Sequence, residues 1–190
     1  MNKLIKGAVA GAAGVALLLG GAGTFALWNS TATVNVGSVA SGTLSIATSG
    51  SAVWKNVSSD EEDGGTVIPA IGSYQIVPGD TLELTQVVTI DATGNNLAAT
   101  LSYDDASIAA VGAANEALKD ELVFTVDATG GANVTRIGTG NTFSVTPSAS
   151  QSTVTLTVTI DLPATVSGTT AQGGTVDFST LAFKLQQNPR

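Results

Sequence analysis

Neither cysteine nor histidine occurs anywhere in the 190 residues. Without cysteine no disulfide can form, so an exported form of the chain must be held by packing and sheet hydrogen bonds alone. Without histidine there is no imidazole general base and no imidazole metal ligand. Together these absences remove most hydrolase mechanisms. Charge is scarce as well: 12% of residues are Asp, Glu, Lys or Arg, and only seven are basic. The net charge is −8. A form lacking Lys3 and Lys6 would keep five basic residues against fifteen acidic ones, a net charge of −10. Such a surface repels nucleic acid and anionic membranes, and neither is expected as a partner. Aromatic residues make up only 5%.

What fills the chain instead is Thr, Val, Ser, Ala and Gly, a composition of β-branched strands and tight turns. The exception is the N-terminus, "MNKLIKGAVAGAAGVALLLGGAGTFA", where two lysines precede an uncharged run. That is the charged and apolar order of a secretory signal, expected to form a helix. The run from Gly7 to Leu27 is long enough to span a bilayer. Its weakly hydrophobic Gly and Ala, with no positive cluster after it, favour removal over a permanent anchor. Thr24 and Ala26 place small residues at −3 and −1, so the cut is expected after Ala26. A cut after Leu27 would put Phe25 at −3, a poorer fit. The expected division is 1–26 signal peptide, 27–39 N-terminal arm and 40–190 one domain.

From Ala32 onward the pattern has period two, the signature of strands. Leu44 and Ile46 share a face. So do Leu82, Leu84, Val88 and Ile90, with Gln86 interrupting and suggesting a bulge. Leu97, Ala99, Leu101 and Tyr103 come after them in the chain. Next come Leu122, Phe124 or Val123, and Val126. Val154, Leu156, Val158 and Ile160 alternate with threonines. Val176 and Phe178 change parity with Leu181, Phe183 and Leu185, which implies a bulge or break. Turns at "VPGD", "ATGNN", "ATGGAN" and "GTGN" carry Gly and Asn where positive φ is needed. The single helical candidate in the domain is Gly112 to Glu121, with Asn115 as its cap. The expectation is an all-β protein, an antiparallel sandwich with one short helix behind an N-terminal signal helix.

Candidate chemistry is thin. The run Asp60-Glu61-Glu62-Asp63 offers oxygens for calcium but lacks alternating spacing, and a solvated loop is the simpler reading. Asp104-Asp105 closes a strand and caps the next segment of chain. Paired carboxylates could act on a sugar, yet fifteen acids on a small domain make chance pairs expected. No nucleophile elbow, Walker or dinucleotide glycine pattern occurs. Trp28 and Trp54 could stack on a glycan, though packing in the core or at a sheet edge is the simpler use of Trp54. No catalytic residue, metal or cofactor is expected.

Three segments carry a resemblance: "GGAGTFALWNS", "VASGTLSI" (Val39–Ile46) and "IVPGDTLELTQVVTIDATGNNLAATLSY" (Ile76–Tyr103). They resemble the TasA/camelysin family of Gram-positive surface proteins exported through the signal peptidase SipW. Ala40, Ser41, Gly42, Thr43 and Leu44 match the segment that opens the family's first core strand. Pro78, Gly79 and Asp80 match its Pro-Gly-Asp turn, and Asn95-Asn96 take its Gly-Asn turn position. Trp28-Asn29-Ser30 departs from the usual acid after Asn, and beyond Tyr103 only general β-character is shared. The resemblance also allows the cut at Trp28. It implies a jelly-roll-like sandwich and a biofilm-matrix fibre at the cell surface. Subunits there join by donor-strand complementation, so the expected partners are other copies of the chain and other matrix proteins, with the signal peptidase during export. The membrane is met only through the signal before cleavage. Camelysins have been classed as metallopeptidases, but this chain has no histidine for such a zinc site and no enzyme activity is expected.

The arm suits a donor role. In "NSTATVNVGSV", Ala32, Val34 and Val36 lie on one side and Thr31, Thr33 and Asn35 on the other. Eleven extended residues reach about 36 Å at roughly 3.3 Å each. A strand laid along an open sheet edge gains main-chain hydrogen bonds and pockets for alternate side chains. Two other expectations compete: a monomeric surface module that binds glycan or protein, and, more remotely, a hydrolase that works with acids alone.

Overall fold

The computed structural model of the chain describes residues 2–22, 37–169 and 171–189. The chain divides into two compact units, 1–39 and 40–190. In the first, Lys3–Ala22 forms helix α1 with no acidic residue in its first turn. Leu4, Ile5, Val9, Val15 and Leu17 are all exposed, so the helix keeps apolar residues in contact with solvent. Among the described residues no helix is long and apolar enough to cross a membrane.

The second unit is two antiparallel sheets arranged as a β-sandwich. The strands are β1 (Leu44–Asn56), β2 (Thr66–Val67), β3 (Thr81–Ala92), β4 (Ala99–Asp104), β5 (Val123–Gly130), β6 (Val134–Arg136), β7 (Thr142–Val145), β8 (Ser152–Asp161) and β9 (Ala182–Gln187). One sheet has the order β2-β1-β3-β8-β5 and the other β6-β7-β4-β9. Helix α2 (Ala113–Glu121) and two short 3-10 turns complete the described elements.

Period two becomes burial. Leu82, Leu84, Val88 and Ile90 of β3 lie beside Val154, Leu156, Val158 and Ile160 of β8, all buried. Across from them the second sheet contributes Ala99, Leu101, Phe143 and Val145 to the same core. Each such side chain removed from water contributes about 1.5–3 kcal/mol, so the two central strands dominate the stability. The threonines between them face outward, where β-branching still suits the pleat.

Several details differ from the sequence reading. Strand β3 runs unbroken against β8, from Thr81↔Asp161 to Ile90↔Ser152. The irregularity opposite Gln86 belongs to β1, whose register shifts between Ser49 and Val53. The Gln86 amide donates to the carbonyls of Ser49 (3.2 Å) and Val87 (2.8 Å), so it serves the bulge without causing one in its own strand. Only glycines adopt positive φ among the described residues; no asparagine does. Gly112, not Asn115, caps α2. Asn115 sits inside the first turn, where its amide donates to the Val111 carbonyl and its Oδ1 accepts the Thr175 N–H at 2.7 Å. The break between Phe178 and Leu181 is a turn at Ser179-Thr180, just before β9. Asp104 does cap the 3-10 turn after β4, accepting the Ala106 N–H.

Two local motifs fix the frame. In the Pro-Gly-Asp turn, the Asp80 carboxylate accepts the Val77 N–H at 2.9 Å. Gly79 N–H donates to the Leu162 carbonyl (2.7 Å) and Leu162 N–H to the Asp80 carbonyl (3.0 Å), which staples the start of β3 to the end of β8. Before β1, Gly42 passes so close to the Thr93 carbonyl that a Cβ would run into it. Thr43 N–H and Thr43 Oγ1 then both meet Thr93 Oγ1 at 2.8 Å, which pins the entry of β1.

Candidate functional site

The residues assigned to signal cleavage (Ala26, Leu27, Trp28) and to the donor strand (Ala32, Val34, Val36) lie outside the described residues. The sandwich itself presents strand edges on two sides.

Its two sides are finished differently. On one, β5 lies across from β6. Several outward groups of β5 are taken by side chains. Asn141 Oδ1 accepts the Val126 N–H at 2.8 Å, and its Nδ2 donates to the Phe124 carbonyl at 2.9 Å. Arg136 donates to the Val126 carbonyl at 2.7 Å and pairs with Asp127, also at 2.7 Å. The same guanidinium stands 4.9 Å from the centre of the Phe143 ring, a cation–π contact. The Arg136 hydrogen bond, then that of the Ala128 N–H, holds the Asp127 carboxyl below the usual carboxylate range.

On the other side, β9 lies across from β1. Strand β2 covers β1 only at Lys55 and Asn56. Thr93 N–H donates to the Thr43 carbonyl, so hydrogen-bonded pairs recur at Ser45↔Asp91, Ala47↔Thr89 and Ser49↔Val87. The N–H and C=O of Leu44, Ile46 and Thr48 therefore point away from β3. By the same alternation, set by Asn188 N–H on the Ala98 carbonyl, those of Phe183, Leu185 and Gln187 point away from β4. Among the described residues none of these six takes a backbone or side-chain partner on that outward side. The apolar side chains beside these edges, Leu44, Ile46, Phe183 and Leu185, are only half-buried against the core. On the β5 side Val126 is fully buried, while Phe124, Ala128 and Val134 are half-buried too, so the two sides differ in their backbone partners and not in apolar burial.

In the acidic run Asp60, Glu62 and Asp63 are exposed, as in a solvated loop, and Glu61 alone is drawn in. Glu61 accepts from Asn56 Nδ2 at 2.8 Å and from Thr66 Oγ1, tying the loop to β1 and β2. Among the described residues no group of three or more acids is placed to hold a metal ion. Trp54 lies in β1 against Phe178, ring centres 5.5 Å apart, and Phe178 meets Phe124 at 6.3 Å. The sequence reading missed strands β6 and β7 and hence Arg136 and Asn141; "NTFSV" does alternate after the "GTGN" turn, but over only two apolar residues.

Comparison with models of protein families, with curated proteins and with solved structures finds no match.

Proposed function

We propose that this chain is an exported surface protein of the TasA/camelysin kind, built on a jelly-roll-like sandwich, that assembles into fibres through its arm. Helix α1 is the export signal, removed near Ala26–Trp28. Residues 27–39 are then freed as a strand and pair with the outer edge of β1 in a neighbouring copy, at Leu44–Ser49. The observation that carries this reading is the open side of the sandwich: backbone groups of β1 with no partner among the described residues, beside half-buried Leu44, Ile46, Phe183 and Leu185. Strand β2 already occupies the other end of the same edge, so an incoming strand has a ready line to continue. Ala32, Val34 and Val36 alternate as such a strand requires. A head-to-tail contact of this type does not close on itself and extends into a filament.

The arm is tethered until the signal is removed, so processing licenses assembly. Deleting Leu27–Val36 is expected to leave a soluble, folded monomer. Electron microscopy of the processed protein after concentration should show filaments for the intact arm and none for the deletion. Filaments formed by the deleted variant would sink the proposal. A concentrated intact protein that stays monomeric would instead favour the arm pairing within its own sheet, as in a monomeric surface module.

A further inference from the structure

The sandwich holds a cavity of about 1000 Å³ at the end where β1 finishes and β3 begins. Protein interiors close voids much larger than a water molecule, so a space of this size at the edge of a core is a site to be explained. Its floor is apolar, from Leu82, Leu118 and Leu162, and its walls carry the rings of Trp54, Tyr74 and Phe178. With aromatic residues at 5% of the chain, three converging on one cavity is a marked concentration. Trp54 and Phe178 meet at 44° with centres 5.5 Å apart, forming a corner.

The polar lining has one sign. Asp177 borders the cavity, and among the described residues no lysine or arginine does. The Asp177 carboxylate is exposed; it accepts the Ser179 N–H at 2.8 Å and also interacts with the Ser179 side chain, which together hold it below the usual carboxylate range. Tyr74 OH reaches Asp80 at 3.3 Å, and burial first, then the Asp80 charge, pushes its phenol up. The wall is also set in place. Thr175 N–H is held by Asn115 of α2, and Gly174 packs so closely on the Ala114 carbonyl that a Cβ would collide with it.

We infer that this cavity binds an organic cation with an apolar body, such as an alkylammonium. Ring faces attract an ammonium, and the exposed Asp177 carboxylate supplies a counter-charge while the leucines take the tail. The site is independent of the β1 edge and of filament formation.

Calorimetric titration of the full chain with decyltrimethylammonium, below its micelle concentration, tests this against decyl sulfate of equal tail length. The cation should bind saturably at one site, with decyl sulfate at least about tenfold weaker. Phe178→Leu should weaken the cation about tenfold, and Asp177→Asn about twofold to fivefold without weakening decyl sulfate. Equal binding of the two probes, no saturable binding of the cation, or unchanged binding in Phe178→Leu would each overturn the inference. Circular dichroism checks the fold. Should Phe178→Leu fail to fold, Val166→Trp, which fills the cavity from its loop, must abolish binding, and retained binding there overturns it equally.

Discussion

The two sides of this sandwich pose the same physical problem and answer it in opposite ways. An edge strand presents unpaired N–H and C=O groups that invite another chain. On the β5 side, Asn141 and Arg136 occupy those groups from within. On the β1 and β9 side the described residues leave them open. A fold that needed only to avoid aggregation would close both sides. A strand added to this sandwich would meet open groups on the β1 and β9 side and filled ones at Phe124 and Val126 on the other.

The largest expected effect separates the inner and outer groups of β1. Ala47→Pro removes an N–H bonded to β3 and should cost about 2–3 kcal/mol, whereas Thr48→Pro removes an outward one and should cost under about 1 kcal/mol. Thermal unfolding measures both. Thr48→Pro should still suppress filaments by taking away a donor that the incoming strand needs. Gly42→Ala comes next, at about 1–3 kcal/mol, because the new methyl meets backbone at Thr93 that cannot move aside easily. On the closed side, Asn141→Ala leaves the Val126 N–H and Phe124 carbonyl unpaired and should cost about 1–2 kcal/mol. Combined with Arg136→Ala it should also produce association through β5, seen as dimers in sedimentation. A double variant that stayed as monomeric as the parent would break the comparison.

The smallest effect is on pH. Asp127 has its folded pKa below its unfolded value. Its contribution is therefore present above the unfolded value, about 3.9, and is lost as pH falls through the lowered folded one. The closed side should loosen below about pH 4, read as faster exchange of the Val126 amide after correction for intrinsic rate. The Ile46 amide, with no titrating partner, should not change with it.

Much of the sandwich was legible because its strongest signal is local. Val154, Leu156, Val158 and Ile160 alternate with threonine over a full strand, and burial tracks that alternation residue by residue. Strands β6 and β7 were not legible, since they have three and four residues, and the register of β7 depends on pairing with β4 and that of β6 on pairing with β7. Gln86 marks the correct position for a bulge, but the bulge belongs to the partner strand, because a register shift is a property of the pair. The asymmetry of the two sides was beyond the sequence altogether. It depends on Asn141 and Arg136 reaching strand β5 from across the sandwich, a contact that no periodicity encodes. The arm, by contrast, reads as a strand with no sheet of its own, and the fold contributes an edge with no strand.

Residue-resolved hydrogen exchange on the processed protein, before and after concentration, tests that match most directly. The Ile46 and Thr48 amides should exchange freely in the dilute monomer and become protected in the assembled state, while Val126 should be protected in both. Assembly that leaves Ile46 and Thr48 exchanging as fast as before would contradict it.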